Sequence, residues 1–281
     1  AFSIKVFDLP EASRTARGRP IINFVKLKDG EKVCAYLPVK GLGKQQMFLN
    51  FISQNGIVKR AALKEYASIN KGGIIAVKVK DGDKIISVVT SKGIDDILLV
   101  THLGNAIRFS ELDIRICGRN SQGVAGIKLQ AKDYVVGGIV VPMKFDADGD
   151  TVTSDTELTM MTLTDKGWGK RTNVDEYLVA PVDGSKLRQQ SRGGKGRIDI
   201  SLESKVGKSV GVIPLKNGKD IVIITKQGQM VRVSADTIRV LNRGTNGSRL
   251  IKLANDDEVI AASPVAQEVE ELDEVAGSTN A

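Results

Sequence analysis

One pattern returns five times along this 281-residue chain, and repetition at that spacing constrains the fold before any single residue does. The glycines Gly18, Gly73, Gly123, Gly196 and Gly247 close equivalent basic loops, about 50 to 55 residues apart except for one interval of about 73. Each loop opens an apolar strand. The remainder of the pattern reads as a hairpin whose return strand begins with a base, at Asn55 to Arg60, Leu103 to Arg108, Lys166 to Arg171 and Gln227 to Arg232. Periods of this size belong to propellers, solenoids and arrays, whose units bury their apolar faces only by stacking on neighbours.

Short β-branched runs carry the strand signal. Ile74 to Val79, Ile85 to Val89 and Ile97 to Val100 set an order that returns at Val124 to Leu129, Val135 to Val141 and Leu158 to Leu163, then at Ile198 to Leu202, Val210 to Leu215 and Ile221 to Thr225. Each copy offers about four short strands, so an all-β, propeller-like fold is expected. A short helical segment is predicted at Ala61 to Tyr66, and no other segment has a helical period. Residues 1–267 read as one body and 268–281 as an acidic tail, expected to be disordered. Asp146 to Glu157 and Leu178 to Gln189 interrupt the repeat and read as surface insertions. Ala1 to Val6 looks like the end of a hairpin strand whose partner is missing, the expectation for a fragment.

The formal charge is +8, and the tail from Glu268 holds five acids and no base, so the body alone carries +13. That balance favours a polyanion. Aromatic residues are only 4%, which argues against single-strand stacking platforms. Cys34 and Cys117 lie in different copies and read as reduced packing residues, not a disulfide. No apolar run reaches membrane-spanning length and no signal peptide is evident, so a cytoplasmic location is expected.

The loop Gln190-Ser191-Arg192-Gly193-Gly194-Lys195-Gly196 is the sharpest motif. Its glycines let backbone N–H groups approach phosphate oxygens, Arg192 and Lys195 add charge, and Gln190 and Ser191 add donors, with Arg197 just beyond. Bases recur at that phase: Arg14, Arg17 and Arg19, then Lys71, then Arg115 and Arg119, then Arg239, Arg243 and Arg249. The hairpin bases Lys59, Arg60, Arg108, Lys170, Arg171 and Arg232 recur equally regularly. A phosphate track on a ring's rim predicts such phasing, whereas solvated turns do not require it. All of these residues are therefore candidate DNA ligands.

The Gly-rich run resembles the seven-residue box of bacterial DNA gyrase A, with Ser191 as the departure. Leu9 to Ile21, Gly118 to Val124 and Gly167 to Thr172 extend the similarity to the C-terminal domain of that family over nearly the whole chain. The resemblance implies a β-pinwheel whose blades exchange strands, five repeats standing for blades two to six of a six-bladed ring. It also implies a basic rim that wraps duplex DNA with positive writhe, in an enzyme completed by the rest of gyrase A and by gyrase B. ATP and Mg would act on other parts of that enzyme, with no cofactor in this chain, and the location would be the bacterial nucleoid. The family's box lies in the first blade, whereas this copy lies in the fourth repeat present. The corresponding domain of topoisomerase IV, selecting DNA crossings, therefore stays open as an alternative, as does a propeller serving as a protein scaffold.

Other chemistry is sparse. Asp146, Asp148, Asp150 and Glu157 have EF-hand spacing, but Thr151 stands where the sharp turn needs Gly, so a solvated acidic loop is expected. His102 has no zinc-spaced company and reads as a strand-end residue. No P-loop or base-paired nucleophile accompanies Tyr36, Tyr66, Tyr134 or Tyr177, and no catalytic centre is expected.

Overall fold

A computed structural model describes residues 1–13, 16–39, 46–145, 151–153, 157–180, 187–254 and 256–265. Four hairpins organise it: Phe48–Ser53 with Ile57–Ala62, Asp96–Thr101 with Asn105–Ser110, Thr159–Thr164 with Trp168–Asn173, and Asp220–Thr225 with Met230–Ser234. Each turn is built by one device. A Ser or Thr three residues before a glycine accepts the N–H of the return strand on its hydroxyl: Ile57 to Ser53 Oγ at 3.1 Å, Asn105 to Thr101 Oγ1 at 3.2 Å, Trp168 to Thr164 Oγ1 at 3.2 Å and Gln229 to Thr225 Oγ1 at 3.1 Å. The register of the other neighbour slips at that same residue in all four, so the turn is coupled to a bulge.

Strand exchange joins the sheets. After each new hairpin the chain returns to the preceding sheet, adds a two-residue edge strand, and then comes back to close its own sheet. Val124–Ala125 thus pairs with Ile57 and Val58, Arg197–Ile198 with Asn105 and Ala106, and Ser248–Arg249 with Trp168 and Gly169. The closing strands are Ile85–Ser91, Val135–Val141, Ser209–Leu215 and Val259–Pro264. Three sheets have four strands and the fourth has three, with a small ribbon pairing Met143–Phe145 and Thr151–Thr153.

Alternation along the central strands places a core on each side of a sheet. Ile97 and Leu99 of the second sheet pack with Ile52 and Val58 of the first, while Leu98 and Val100 pack with Met160 of the third. Met161 and Leu163 then meet Ile221 and Ile223 of the fourth. Each such buried aliphatic side chain contributes about 1.5–3 kcal/mol relative to exposure.

The all-β, strand-exchanging architecture agrees with the sequence reading, and several local expectations are corrected. The five repeats yield four sheets, because the described residues of the first repeat form two 3-10 segments, Val6–Asp8 and Ile21–Asn23, and no strand. Ile74 to Val79 is not a strand either: Ile74 and Ala1 exchange N–H and carbonyl bonds at 3.0 and 2.7 Å, and the ladder stops there. The expected strands at Val124 to Leu129 and Ile198 to Leu202 shrink to two residues, since the chain must cross from one sheet to the next. The segment at Ala61 to Tyr66 is a 3-10 turn at Leu63–Tyr66 following the return strand. Similar turns follow the other hairpins at Glu111–Asp113, Val174–Tyr177 and Ala235–Thr237.

Candidate nucleic-acid interface

The candidate bases separate into two sets that the sequence does not distinguish. Lys59, Arg60, Arg108, Lys170 and Arg171, expected to face DNA, are all buried. A return strand lies inside its sheet and between two sheets, so a base on it points into a junction. Lys59 Nζ donates to the Ala76 carbonyl at 3.1 Å and also to that of Arg119, while Lys170 Nζ donates to the Asp199 and Asn242 carbonyls at 2.6 and 2.9 Å. Burial lowers the pKa of both lysines.

The arginine one residue on grips the next blade. Arg60 lies 3.4 Å from Glu111, in the turn after the second hairpin, and covers the Phe48 ring. Arg108 donates to Asp96 within its own hairpin at 2.8 Å, and to Asp175 and the Val174 carbonyl of the third at 2.7 and 3.0 Å. Burial raises the Asp96 pKa, and the charge of Arg108 opposes that shift. Arg171 donates to Thr159 Oγ1 at 2.9 Å and to the Ala235 carbonyl of the fourth at 3.0 Å. Desolvation lowers the pKa of Arg171. Arg232 fills the same position in the last hairpin but is exposed, bonded to Asp220 at 2.6 Å.

The second set lies on the exchange segments, which are hydrogen-bonded to one another in series. Gly193 N–H donates to the Gly126 carbonyl and Lys128 N–H to that of Gly194, both at 2.8 Å. Gly244 N–H donates to the Asp199 carbonyl and Ser201 N–H to that of Thr245 one blade further on, and Lys78 N–H to that of Ser121 one blade back. The loops near residues 78, 121, 193 and 244 therefore form one succession across the blades. Arg192 Nη1 is fixed to the Ala125 carbonyl at 2.8 Å and Nε to that of Asp113 at 3.1 Å, and Arg243 Nη1 is bound to the equivalent Ile198 carbonyl at 3.1 Å.

Exposure along this succession falls to Lys71, Arg115, Lys195, Arg239 and Arg249, with Arg17 and Arg19 exposed in the first repeat. Arg119, Gln190, Arg192, Gly193, Gly194, Gly196, Arg197 and Arg243 are half-buried. Arg197 donates to the Leu178 carbonyl, and its pKa is lowered by burial and then by Arg243. Arg249 and Lys205 both lie over the Trp168 ring, at 5.7 and 5.9 Å. Arg14 lies outside the described residues.

The sequence reading overlooked the acids that bind the buried bases. Asp96, Glu111 and Asp199 are each fully or almost fully buried. Their signal was present: Asp96 and Asp220 stand at one phase of the forward strands, and Asp175 and Asp236 at one phase of the turns, with Glu111 one residue earlier in its own turn. Among the remaining candidates, Asp146, Asp148 and Asp150 lie outside the described residues, and no cluster of metal-ligating side chains occurs among the described ones. His102 stacks on Tyr134 at 4.4 Å, with Nδ1 2.9 Å from the Ser209 carbonyl. Cys34 and Cys117 are free thiols, and Cys34 is exposed, not packed. No described helix is long and apolar enough to cross a membrane.

Sheets that trade edge strands, latched by buried arginines and carrying basic loops in series, define a propeller-like repeat protein of the pinwheel type. The chain belongs to the family of the DNA gyrase C-terminal domain, beta-propeller, whose model matches residues 1–35, 51–92, 95–142, 159–180, 182–216 and 219–266. It is 36% identical over 277 residues to the DNA gyrase A of Salmonella typhimurium and 33% identical over 261 residues to that of Haloquadratum walsbyi. These alignments cover 98% and 92% of this chain but only 29% and 28% of those relatives. Two solved structures share the fold. One is a C-terminal domain of DNA topoisomerase IV (TM-score 0.76, 22% identity, 92% of this chain and 74% of that one). The other is a DNA gyrase A C-terminal domain (TM-score 0.73, 21% identity, 89% and 76%).

Proposed function

We propose that this chain binds duplex DNA along the succession of exchange loops and bends it around the blades. The observation that carries this reading is the serial hydrogen bonding of those loops, which holds Arg115, Lys195, Arg239 and Arg249 on adjoining segments. A rigid curved row of cations neutralises phosphates and releases counterions, and this offsets the several kcal/mol needed to bend a short duplex. Base reading is slight, because the cations sit on loops and no described helix is long enough to enter a major groove.

In the complete protein this region serves a type II topoisomerase, working with the rest of gyrase A and with gyrase B in the bacterial cytoplasm, on the nucleoid. Positive writhe captured here makes strand passage introduce negative supercoils, with ATP and Mg used elsewhere in the enzyme. The test is duplex affinity against salt, combined with the topology of nicked circles religated in the protein's presence. A log–log slope near 0.9 per phosphate neutralised, with positive writhe, supports the reading. Shallow binding with unchanged linking number overturns it.

A further inference from the structure

Neighbouring exchange loops are joined through the main chain, Gly193 N–H to the Gly126 carbonyl and Gly244 N–H to that of Asp199, and to this link Asp199 adds a side chain that the other blades lack. This residue follows the Gly-rich loop and the two-residue exchange strand, and its N–H donates to the Gly104 carbonyl at 2.8 Å. Gly126 and Leu250 occupy the same place in the other exchange segments, donating to Gly56 and Gly167 at 2.8 and 2.9 Å. Neither supplies a carboxylate.

The Asp199 carboxylate is fully buried. Oδ1 accepts the Tyr177 hydroxyl and Oδ2 the Thr162 hydroxyl, each at 2.6 Å, and Lys170 Nζ lies 3.5 Å from Oδ1. Its main-chain carbonyl accepts both Lys170 Nζ and the Gly244 N–H of the following loop. Lys170 Nζ also reaches the Asn242 carbonyl in that second loop. One buried residue thus holds the exit of the Gly-rich loop to the third sheet and the entry of the next loop to itself.

We propose that Asp199 is a positioning residue that makes the loops at 190–196 and 242–247 move as one unit, so that their bases meet a duplex in fixed relative places. The part concerning DNA rests on the reading above, whereas the coupling of the loops does not. A buried acid that served only to hold the core together would leave the phosphate count unaltered once the protein is folded. A positioning acid changes that count.

The test uses the whole chain with Asp199→Asn, and Tyr177→Phe as a milder variant that keeps the carboxylate and removes one hydrogen bond. Without DNA, amide exchange at Gly193 and at Gly244 is expected to accelerate together by roughly tenfold or more, with Val58 in the first sheet unchanged. Global unfolding would accelerate all three, and then Tyr177→Phe decides. Acceleration at one loop alone, or at neither, overturns the coupling.

With duplex DNA the two explanations differ in sign. Removing a negative charge tightens binding if only net electrostatics counts. Lost positioning weakens it and makes the salt slope shallower by ~1.8, about two phosphates' worth. Tighter binding with an unchanged slope would overturn the DNA part. If the unaltered protein itself shows no salt-dependent binding, the DNA reading fails while the exchange measurement still decides the coupling.

Discussion

Arg108 Nη1 lies 2.7 Å from Asp175 Oδ1, so an arginine on the second sheet holds the turn that follows the hairpin of the third. The same arginine is bound to Asp96, which is almost fully buried, and its own side chain is fully buried. A buried pair of this kind adds little over a well-packed apolar pair, but removing one partner leaves an uncompensated charge in the junction. Arg108→Met is expected to cost about 3–5 kcal/mol in urea unfolding, whereas Arg232→Met, at the exposed equivalent, costs about 1 kcal/mol or less. Equal losses at the two positions would show that the junction is not what makes Arg108 matter.

The exposed loop bases behave in the opposite way. Lys195→Ala and Arg249→Ala are each expected to lower the salt slope of duplex binding by ~0.9. Unfolding free energy should stay within about 0.5 kcal/mol of the parent protein. Titrations of each variant across salt concentration, beside thermal melts, separate the two effects.

Gly196 sits at φ +74° where the exchange segment meets the second sheet, and a Cβ there would lie 2.5 Å from the Ala106 carbonyl oxygen. Gly244 has the same φ of +74° but open space around it. Gly196→Ala should therefore cost about 1 kcal/mol for the backbone and as much again for the clash, and Gly244→Ala only the first part. The comparison is made by thermal unfolding, and a Gly196→Ala melt matching that of Gly244→Ala would mean that the exchange strand shifts freely.

Burial pushes the Tyr66 phenol up to about 12 from 10.0, with its hydroxyl bonded to the Ala76 carbonyl at 2.9 Å. The folded chain then keeps a proton that the unfolded chain has already released. Stability consequently falls as pH rises from 10 to about 12. Tyr66→Phe should flatten part of that fall, since burial also raises the pKa of Tyr177 and of Tyr134. Urea midpoints below and within this window check the prediction, and an unchanged slope in Tyr66→Phe would refute it.

The repeat, the hairpins and the recurrence of bases on the loops were legible because local chemistry specifies them. A Ser or Thr three residues ahead of a turn glycine, alternating β-branched residues and a basic Gly-rich loop each act within a few positions of the chain. The roles of Lys59, Arg60, Arg108, Lys170 and Arg171 were not legible, because a base at a regular phase fits a phosphate track and a blade junction equally well. Only the packing of one sheet on the next chose between them, by surrounding those side chains with carbonyls and acids from distant parts of the chain. Asp199 shows the same limit: its place after Arg197 and Ile198 is evident in the sequence. Its meeting with Thr162, Tyr177 and Lys170 arises only when the exchange segment crosses from the second sheet to the third. Sequence by itself determined the period, the hairpins and where positive charge recurs. Tertiary structure decided which of those charges face water and which hold the blades together, since burial is settled by neighbours the chain reaches only on folding.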